Sequence, residues 1–170
     1  RWMDEGAELI HVVDLDGSVA GLPRNANIIL EIARNVDVPI QVGGGIRTMA
    51  TIEFYLGNGI ASVILGTTAL QNEKIVREAC GVFPNKIILG IDALNGQVAV
   101  KGWTQTTEKN AVDLAKHYQD YNVKAIVYTD IARDGMSTGV NVEATRNLAV
   151  SVNIPVIASG GVASIKDVEN

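Results

Sequence analysis

Short, near-continuous apolar runs rich in β-branched residues recur along the chain, at 9–13, 40–42, 62–65, 87–91, 125–128 and 156–158. Strands covered on both faces read this way, whereas half-exposed strands alternate. Between the runs, apolar residues return with a helical period at 27–35, 49–57, 71–80, 110–120 and 143–151. Thr48 is placed to cap the helix that Gly57 ends, and Asn110 precedes the pattern Ala111, Leu114, Ala115, Tyr118. The strand ends fall near Asp14, Gly43, Gly66, Asp92, Asp130 and Ser159, spaced by 29, 23, 26, 38 and 29 residues. Strand–helix repeats of that size predict successive βαβ units and a parallel sheet. No Pro- or Ser-rich linker breaks the pattern, so one domain is expected over 1–170.

A longer repeat overlies this one. Val38-Pro39-Ile40-Gln41-Val42-Gly43-Gly44-Gly45-Ile46 aligns with Ile154-Pro155-Val156-Ile157-Ala158-Ser159-Gly160-Gly161-Val162 at an offset of 116 residues. Asp14 and Asp130, each closing a strand, stand at the same offset, as do Glu53 and Glu169. Asp16-Gly17 and Asp134-Gly135 match with a shift of two residues. The chain therefore reads as parts of two similar halves, 1–85 and 86–170. The offset puts the counterpart of strand 86–92 near position −24 and that of 62–66 near 182, both outside this stretch. Four strands per half give eight, and eight βα units make the (β/α)8 TIM barrel, typically about 250 residues. About six units would be held here, a barrel truncated at both ends. An open doubly wound sheet has similar spacing, but a repeat of two halves suits closure better.

Composition narrows the function. Hydrophobic residues make up 47% and charged residues 19%, which excludes a disordered chain. The net charge of −5 has the wrong sign for a general nucleic-acid groove. No apolar run approaches the ~18–20 residues that span a bilayer, and no signal segment opens the chain, so a cytoplasmic protein is expected. One cysteine, Cys80, excludes a disulfide framework and a cysteine-built zinc site. Two histidines, His11 and His117, are too few for a typical zinc centre, and no metal is expected.

Candidate chemistry lies where a barrel keeps it, at the carboxyl ends of the strands. Gly43-Gly44-Gly45 follows a strand and opens a helix, and glycines let backbone N–H groups approach a phosphate. Arg47 could pair with the same anion. Ser159-Gly160-Gly161 repeats the device in the other half, and Gly66-Thr67-Thr68 offers a third glycine–hydroxyl turn. Each alone could be a tight turn before a helix; two related loops suit a substrate with a phosphate at each end. Asp92 closes the run Ile87-Ile88-Leu89-Gly90-Ile91, where burial can tune a carboxyl for proton transfer. Asp14 and Asp130, as repeat equivalents, could simply fix their loops. Thr129 carries a hydroxyl where the first half has Val13, a difference that suggests function rather than framework. Asp134-Gly135 reads as a loop turn, with a functional contact as the alternative. Leu94-Asn95-Gly96-Gln97-Val98-Ala99-Val100 reads as a hairpin that delivers Lys101-Gly102-Trp103 to the mouth. Trp103 would stack on a heteroaromatic ring or cover the rim. Cys80 and His11 read as packing residues, and His117 as solvent-facing.

The segments Leu9-Ile10-His11-Val12-Val13-Asp14-Leu15, Gln41-Val42-Gly43-Gly44-Gly45-Ile46-Arg47, Val100-Lys101-Gly102-Trp103 and Tyr128-Thr129-Asp130-Ile131-Ala132-Arg133-Asp134-Gly135 together resemble a family. It is that of the histidine-biosynthesis isomerases acting on phosphoribosylformimino-aminoimidazole-carboxamide ribotide. The resemblance covers essentially the whole chain. The cyclase subunit of imidazole glycerol phosphate synthase shares the half-barrel repeat and glycine loops, but the Lys101-Gly102-Trp103 and Thr129-Asp130-Ile131 segments favour the isomerases. A non-catalytic phosphate-binding barrel and a version also serving tryptophan synthesis are further alternatives.

The resemblance implies an Amadori rearrangement of an aminoaldose to an aminoketose, on a small substrate bearing two phosphates and without a cofactor. It implies that Asp92 is the proton donor, that Thr129 supports it, and that Arg47 and Trp103 contact substrate. The glycine loops match the phosphate cradles: Gly44 and Gly45, Gly66 with Thr67, and Ser159, Gly160 and Gly161. The family's proton acceptor, an aspartate of the first strand, falls upstream of Arg1. An isolated 170-residue chain is then expected to be slow by about 10²–10⁴-fold. Strands at 9–13 and 156–158 would present open apolar edges, and self-association through them is expected.

Overall fold

The computed structural model describes residues 2–100, 103 and 105–169. The Lys101-Gly102 pair of the tryptophan segment lies outside the described residues. The chain forms two compact units, Arg1–Ile88 and Leu89–Asn170.

In the first unit, β1 (Ile10–Val13), β2 (Ile40–Gly43) and β3 (Ser62–Leu65) run parallel and in register. Every residue of β2 and β3 is buried, as expected of strands covered on both faces. The crossovers are α1 (Leu15–Ala20), α2 (Ala26–Arg34), α3 (Met49–Gly57), α4 (Thr67–Gln71) and α5 (Glu73–Val82). Thr48 starts α3 by accepting from the Thr51 N–H at 3.2 Å, which satisfies one of the donors a helix start leaves open. α3 buries Ile52 and Tyr55 and packs on β3 and α5. β1 differs: only β2 pairs with it among the described residues, and Val13 stays 45% exposed.

β4 (Ile87–Leu94) runs from the first unit into the second. It turns through Asn95-Gly96, with φ of 51° and 79°, into the antiparallel β5 (Gln97–Val100). Two successive positive φ values are the signature of the hairpin turn that Asn-Gly favours. β5 pairs in turn with β6 (Gln105–Asn110), after which come α6 (Ala111–His117) and β7 (Ala125–Asp130). β7 is buried throughout, pairs with β4, and runs parallel to β8 (Val156–Ser159). α7 (Val142–Ala149) joins them, and α8 (Ile165–Glu169) follows β8.

The repeat is visible inside each unit. Ile10 pairs with Ile40 and Val13 with Gly43; 116 residues on, Ile126 pairs with Val156 and Thr129 with Ser159. The Ile10 N–H donates to the Pro39 carbonyl at 3.0 Å, and the Ile126 N–H to the Pro155 carbonyl at 2.9 Å.

Several elements depart from the sequence pattern. β4 continues past Asp92 to Leu94, because its last residues form the hairpin with β5. The helix read at 71–80 is two, divided at Asn72, whose side chain caps α5. Those read at 110–120 and 143–151 stop at His117 and Ala149. β6 was not expected: Gln105-Thr106-Thr107-Glu108-Lys109-Asn110 has no apolar alternation, and it owes its extension to pairing with β5. α1, α4 and α8, at five or six residues, are too short to show a period.

Candidate active site

Near the carboxyl end of β4 stands Asp92, a carboxyl of the second unit whose pKa is raised. Asp92 is half-buried, and the Trp103 indole N–H and the Thr129 hydroxyl donate to it. Loss of water around it is the largest influence and raises its pKa. The two hydrogen bonds pull the other way, and the charge of Asp134 adds a further rise, so the carboxyl stays above its ordinary range. Thr129 is buried at the end of β7. Trp103 sits at φ 69° with 42% of its surface exposed, so part of its ring remains open to a ligand. Asp134 is exposed on the loop after β7, its N–H donating to the Asp130 carbonyl at 3.1 Å. The structure thus brings together Asp92, Thr129 and Trp103, with Asp134 close enough for its charge to act on Asp92.

Each unit also contains one glycine corner. In the first, Gly44 and Gly45 hold φ of 101° and 70°. A Cβ on Gly44 would run into the Asp14 carbonyl, and one on Gly45 would come within 2.7 Å of the Gly17 and Leu22 carbonyls. In the second, Gly160 and Gly161 hold φ of 88° and 86°. A Cβ on Gly160 would lie 2.6 Å from the Asp130 carbonyl, and one on Gly161 would meet that of Gly139. Both corners therefore require glycine, for backbone conformation and for space. Arg47 follows the first corner, exposed, with its guanidinium lying over Gly21. Gly66 caps α4 and Thr67 is half-buried, but Thr68 is the buried hydroxyl of that turn and donates to the Ile46 carbonyl at 2.8 Å. Ser159 is half-buried at the end of β8.

Asp14 and Asp130 fix loops, as their place in the repeat suggests. Asp14 accepts from the N–H groups of Gly17, Arg24 and Asn25 and from the Asn25 amide, at 2.7–2.9 Å. Burial pushes its pKa up, but these four donors outweigh that and hold it below the usual carboxylate range. Asp130 accepts from the Ala132 N–H at 3.0 Å and from the Asn141 amide at 2.6 Å. Asn25 and Asn141 escaped notice in the sequence, although they too stand 116 residues apart. His11 is more than a packing residue: it is exposed on β1, and its Nδ1 lies 2.9 Å from the Gln41 amide nitrogen. Cys80 is buried in α5 with its thiol pushed up to about 11, which leaves it inert at neutral pH. His117 is exposed.

A family model described as histidine biosynthesis protein matches residues 1–170. The chain belongs to that family. Its members fold as (β/α)8 barrels, and the strand–helix succession of both units is that architecture. Among its relatives is the Geobacter sulfurreducens protein named 1-(5-phosphoribosyl)-5-((5-phosphoribosylamino)methylideneamino) imidazole-4-carboxamide isomerase. The two are 58% identical over 170 residues, all of this chain and 70% of the relative. Proteins of the same name from Trichlorobacter lovleyi and Aromatoleum aromaticum are 56% and 54% identical, each with 69% of its length covered. Within the histidine biosynthesis family the chain therefore groups with isomerases rather than with the cyclase alternative. Among the described residues no helix is long and apolar enough to cross a membrane.

Proposed function

We propose that the chain carries the proton-donating part of an aldose–ketose isomerisation, the Amadori rearrangement of a bis-phosphorylated aminoimidazole carboxamide ribotide. The observation that supports this most is the environment of Asp92. A general acid at neutral pH must hold its proton until needed, and its conjugate base must then be stabilised. Burial and the Asp134 charge favour the protonated form, while the Thr129 hydroxyl and Trp103 N–H wait to stabilise the carboxylate. Asp92 gives its proton to the ribose ring oxygen; the C1–O bond breaks, and the amino nitrogen's lone pair closes a C=N bond. A second general base takes the C2 proton, and the resulting enaminol tautomerises to the aminoketose. Atoms and electrons balance without an external oxidant, so the rearrangement itself calls for no redox cofactor.

The other roles follow the glycine corners. Gly44, Gly45 and Arg47, with Gly66 and Thr67, hold one phosphate; Ser159, Gly160 and Gly161 hold the other. Trp103 stacks on the imidazole, and Asp134 contacts substrate beside Asp92. Residues 1–85 and 86–170 are the two halves of one barrel domain in this assignment. The protein works in the cytoplasm, and copies associate along β1 and β8, which among the described residues pair only with β2 and β7. A clean monomer in sedimentation at tens of micromolar contradicts that last point.

Asp92→Asn tests the assignment. In the protein expressed from its full reading frame, conversion of the aminoaldose to the aminoketose should fall by about 10²–10⁴-fold with KM little changed. A variant within about threefold of the parent rate removes Asp92 from the chemistry.

A further inference from the structure

The second unit contains a half-buried aspartate that the isomerisation leaves unassigned. Asp167 stands in the first turn of α8, just beyond the corner Ser159-Gly160-Gly161. Its Oδ2 accepts from the N–H of Ala163 at 3.0 Å, the N–H of Ser164 at 2.8 Å and the Ser164 hydroxyl at 3.1 Å. A Ser followed three residues later by an acid is a familiar helix start, and capping would account for these bonds.

Capping does not account for the rest. Oδ1 also lies 3.0 Å from where a Cβ on Gly139 would stand, and the neighbouring Val140 N–H is the weakest of the donors that lower the Asp167 pKa. Gly139 and Val140 belong to a different segment, the end of the loop 131–141 that follows β7. The Gly139 N–H donates to the Gly161 carbonyl at 2.8 Å. One main-chain bond at Gly139 and the approach of the Asp167 carboxylate to Gly139 and Val140 thus bring the end of that loop against the segment after β8. The near end of the loop is held by β7: the N–H groups of Arg133 and Asp134 both donate to the Asp130 carbonyl at 3.1 Å. Asp134 lies between these two anchorages.

The repeat shows that this tether is a substitution. The first-unit counterpart of Val140 is Arg24, whose N–H donates at 2.7 Å to Asp14, the aspartate at its own strand end. The counterpart of Gly139 is Pro23, which has no N–H to give. The counterpart of Asp167 is Thr51, whose hydroxyl sits 2.9 Å from that of Thr48 and bears no charge. In the first unit the loop end is drawn in to the strand that precedes it. In the second, the same position is handed to the next βα unit, through a carboxylate that the first unit lacks.

We propose that Asp167 is a positioning residue of the Asp92 site: its carboxylate clamps the 131–141 loop to the glycine corner and thereby holds Asp134 beside Asp92. The clamp couples a phosphate-type corner to the proton-transfer carboxyl through one short loop. Its meaning for catalysis rests on the isomerase assignment, but its test does not.

The test is carboxyl ¹³C titration of Asp92 together with amide hydrogen exchange, on the parent chain, Asp167→Ala, Asp134→Asn and the double variant, with Asp92→Asn to assign the signal. The clamp predicts that Asp167→Ala speeds Val140 and Gly139 exchange by about tenfold or more. It predicts that the Asp92 midpoint moves down, in the same direction as in Asp134→Asn, and that the double variant moves it no further than Asp134→Asn alone. Asp167→Asn keeps one oxygen for the helix start and removes the charge, so it should fall between parent and Asp167→Ala, and it answers the question if Asp167→Ala does not fold. If the Asp92 midpoint stays put while only α8 amides exchange faster, Asp167 is a helix cap and the clamp is wrong. Slow turnover of Asp92→Asn with an unmoved midpoint in Asp167→Ala would sink the clamp and spare the isomerase assignment; the reverse pair of results would do the opposite.

Discussion

Asp14 and Asp130 occupy the same place in a repeated strand–loop unit, yet they are used differently. Asp14 gathers four short hydrogen bonds, three from backbone N–H groups, and becomes a knot for the loop that leaves β1. Asp130 keeps the asparagine tie and one N–H, with the Arg133 guanidinium at 3.8 Å, and leaves the end of its loop to Asp167. One strand position earlier, Val13 becomes Thr129, whose hydroxyl reaches Asp92. Both copies thus retain the glycine corners and the asparagine ties, and under the proposed function proton donation falls to the second. Thr129, proposed to support Asp92, is a point where the second half departs from the first, which has Val13 there.

The largest effect that would sharpen this contrast is the rate loss expected of Asp92→Asn, since no framework residue should match it without unfolding the protein. Next come the corners. Gly44→Ala and Gly160→Ala each force a side chain into a backbone carbonyl at positive φ, and each should cost about 2–4 kcal/mol, measured by urea unfolding. A change below about 0.5 kcal/mol at either would show that its corner is not the rigid element described. Smaller again are the ties: Asn25→Ala leaves Asp14 with three donors but also removes the bond at 3.0 Å to Asp16, and should destabilise by about 1–2 kcal/mol. Asn141→Ala should cost about the same, because Asn141 also caps α7 through the Ala144 N–H at 3.1 Å.

Much of this was legible beforehand, because it rests on periodicity. The 116-residue offset located the glycine corners and paired Asp14 with Asp130, and it would have found Asn25 and Asn141 had it been applied to polar residues between the motifs. The apolar runs located β1, β2, β3, β4, β7 and β8, since buried strands announce themselves by composition. β6 was not legible, because its extension comes from pairing and its residues are polar. The sequence did not tell apart the two hydroxyls of the third turn: Thr68 points inward to Ile46, while Thr67 stays half-buried at the start of α4. The tether of Val140 to Asp167 spans 27 positions and has no local pattern.

Thr129→Val, which installs the residue type of the first unit, is the gentlest way to break the contrast. It removes one hydrogen bond that lowers the Asp92 pKa, so the Asp92 midpoint should rise further and turnover should drop by about tenfold, with stability changed by less than about 1 kcal/mol. A fall in the midpoint would mean that the hydroxyl does not donate to Asp92.

The most direct measurement is a single carboxyl ¹³C titration of the parent protein, following Asp14 and Asp92 in the same spectra. Asp14 should titrate below the ordinary carboxylate range and Asp92 above it, the one a structural knot, the other a carboxyl whose protonated form burial favours. If Asp92 titrates at or below the ordinary value, the second unit has no tuned acid and the division between framework and chemistry fails.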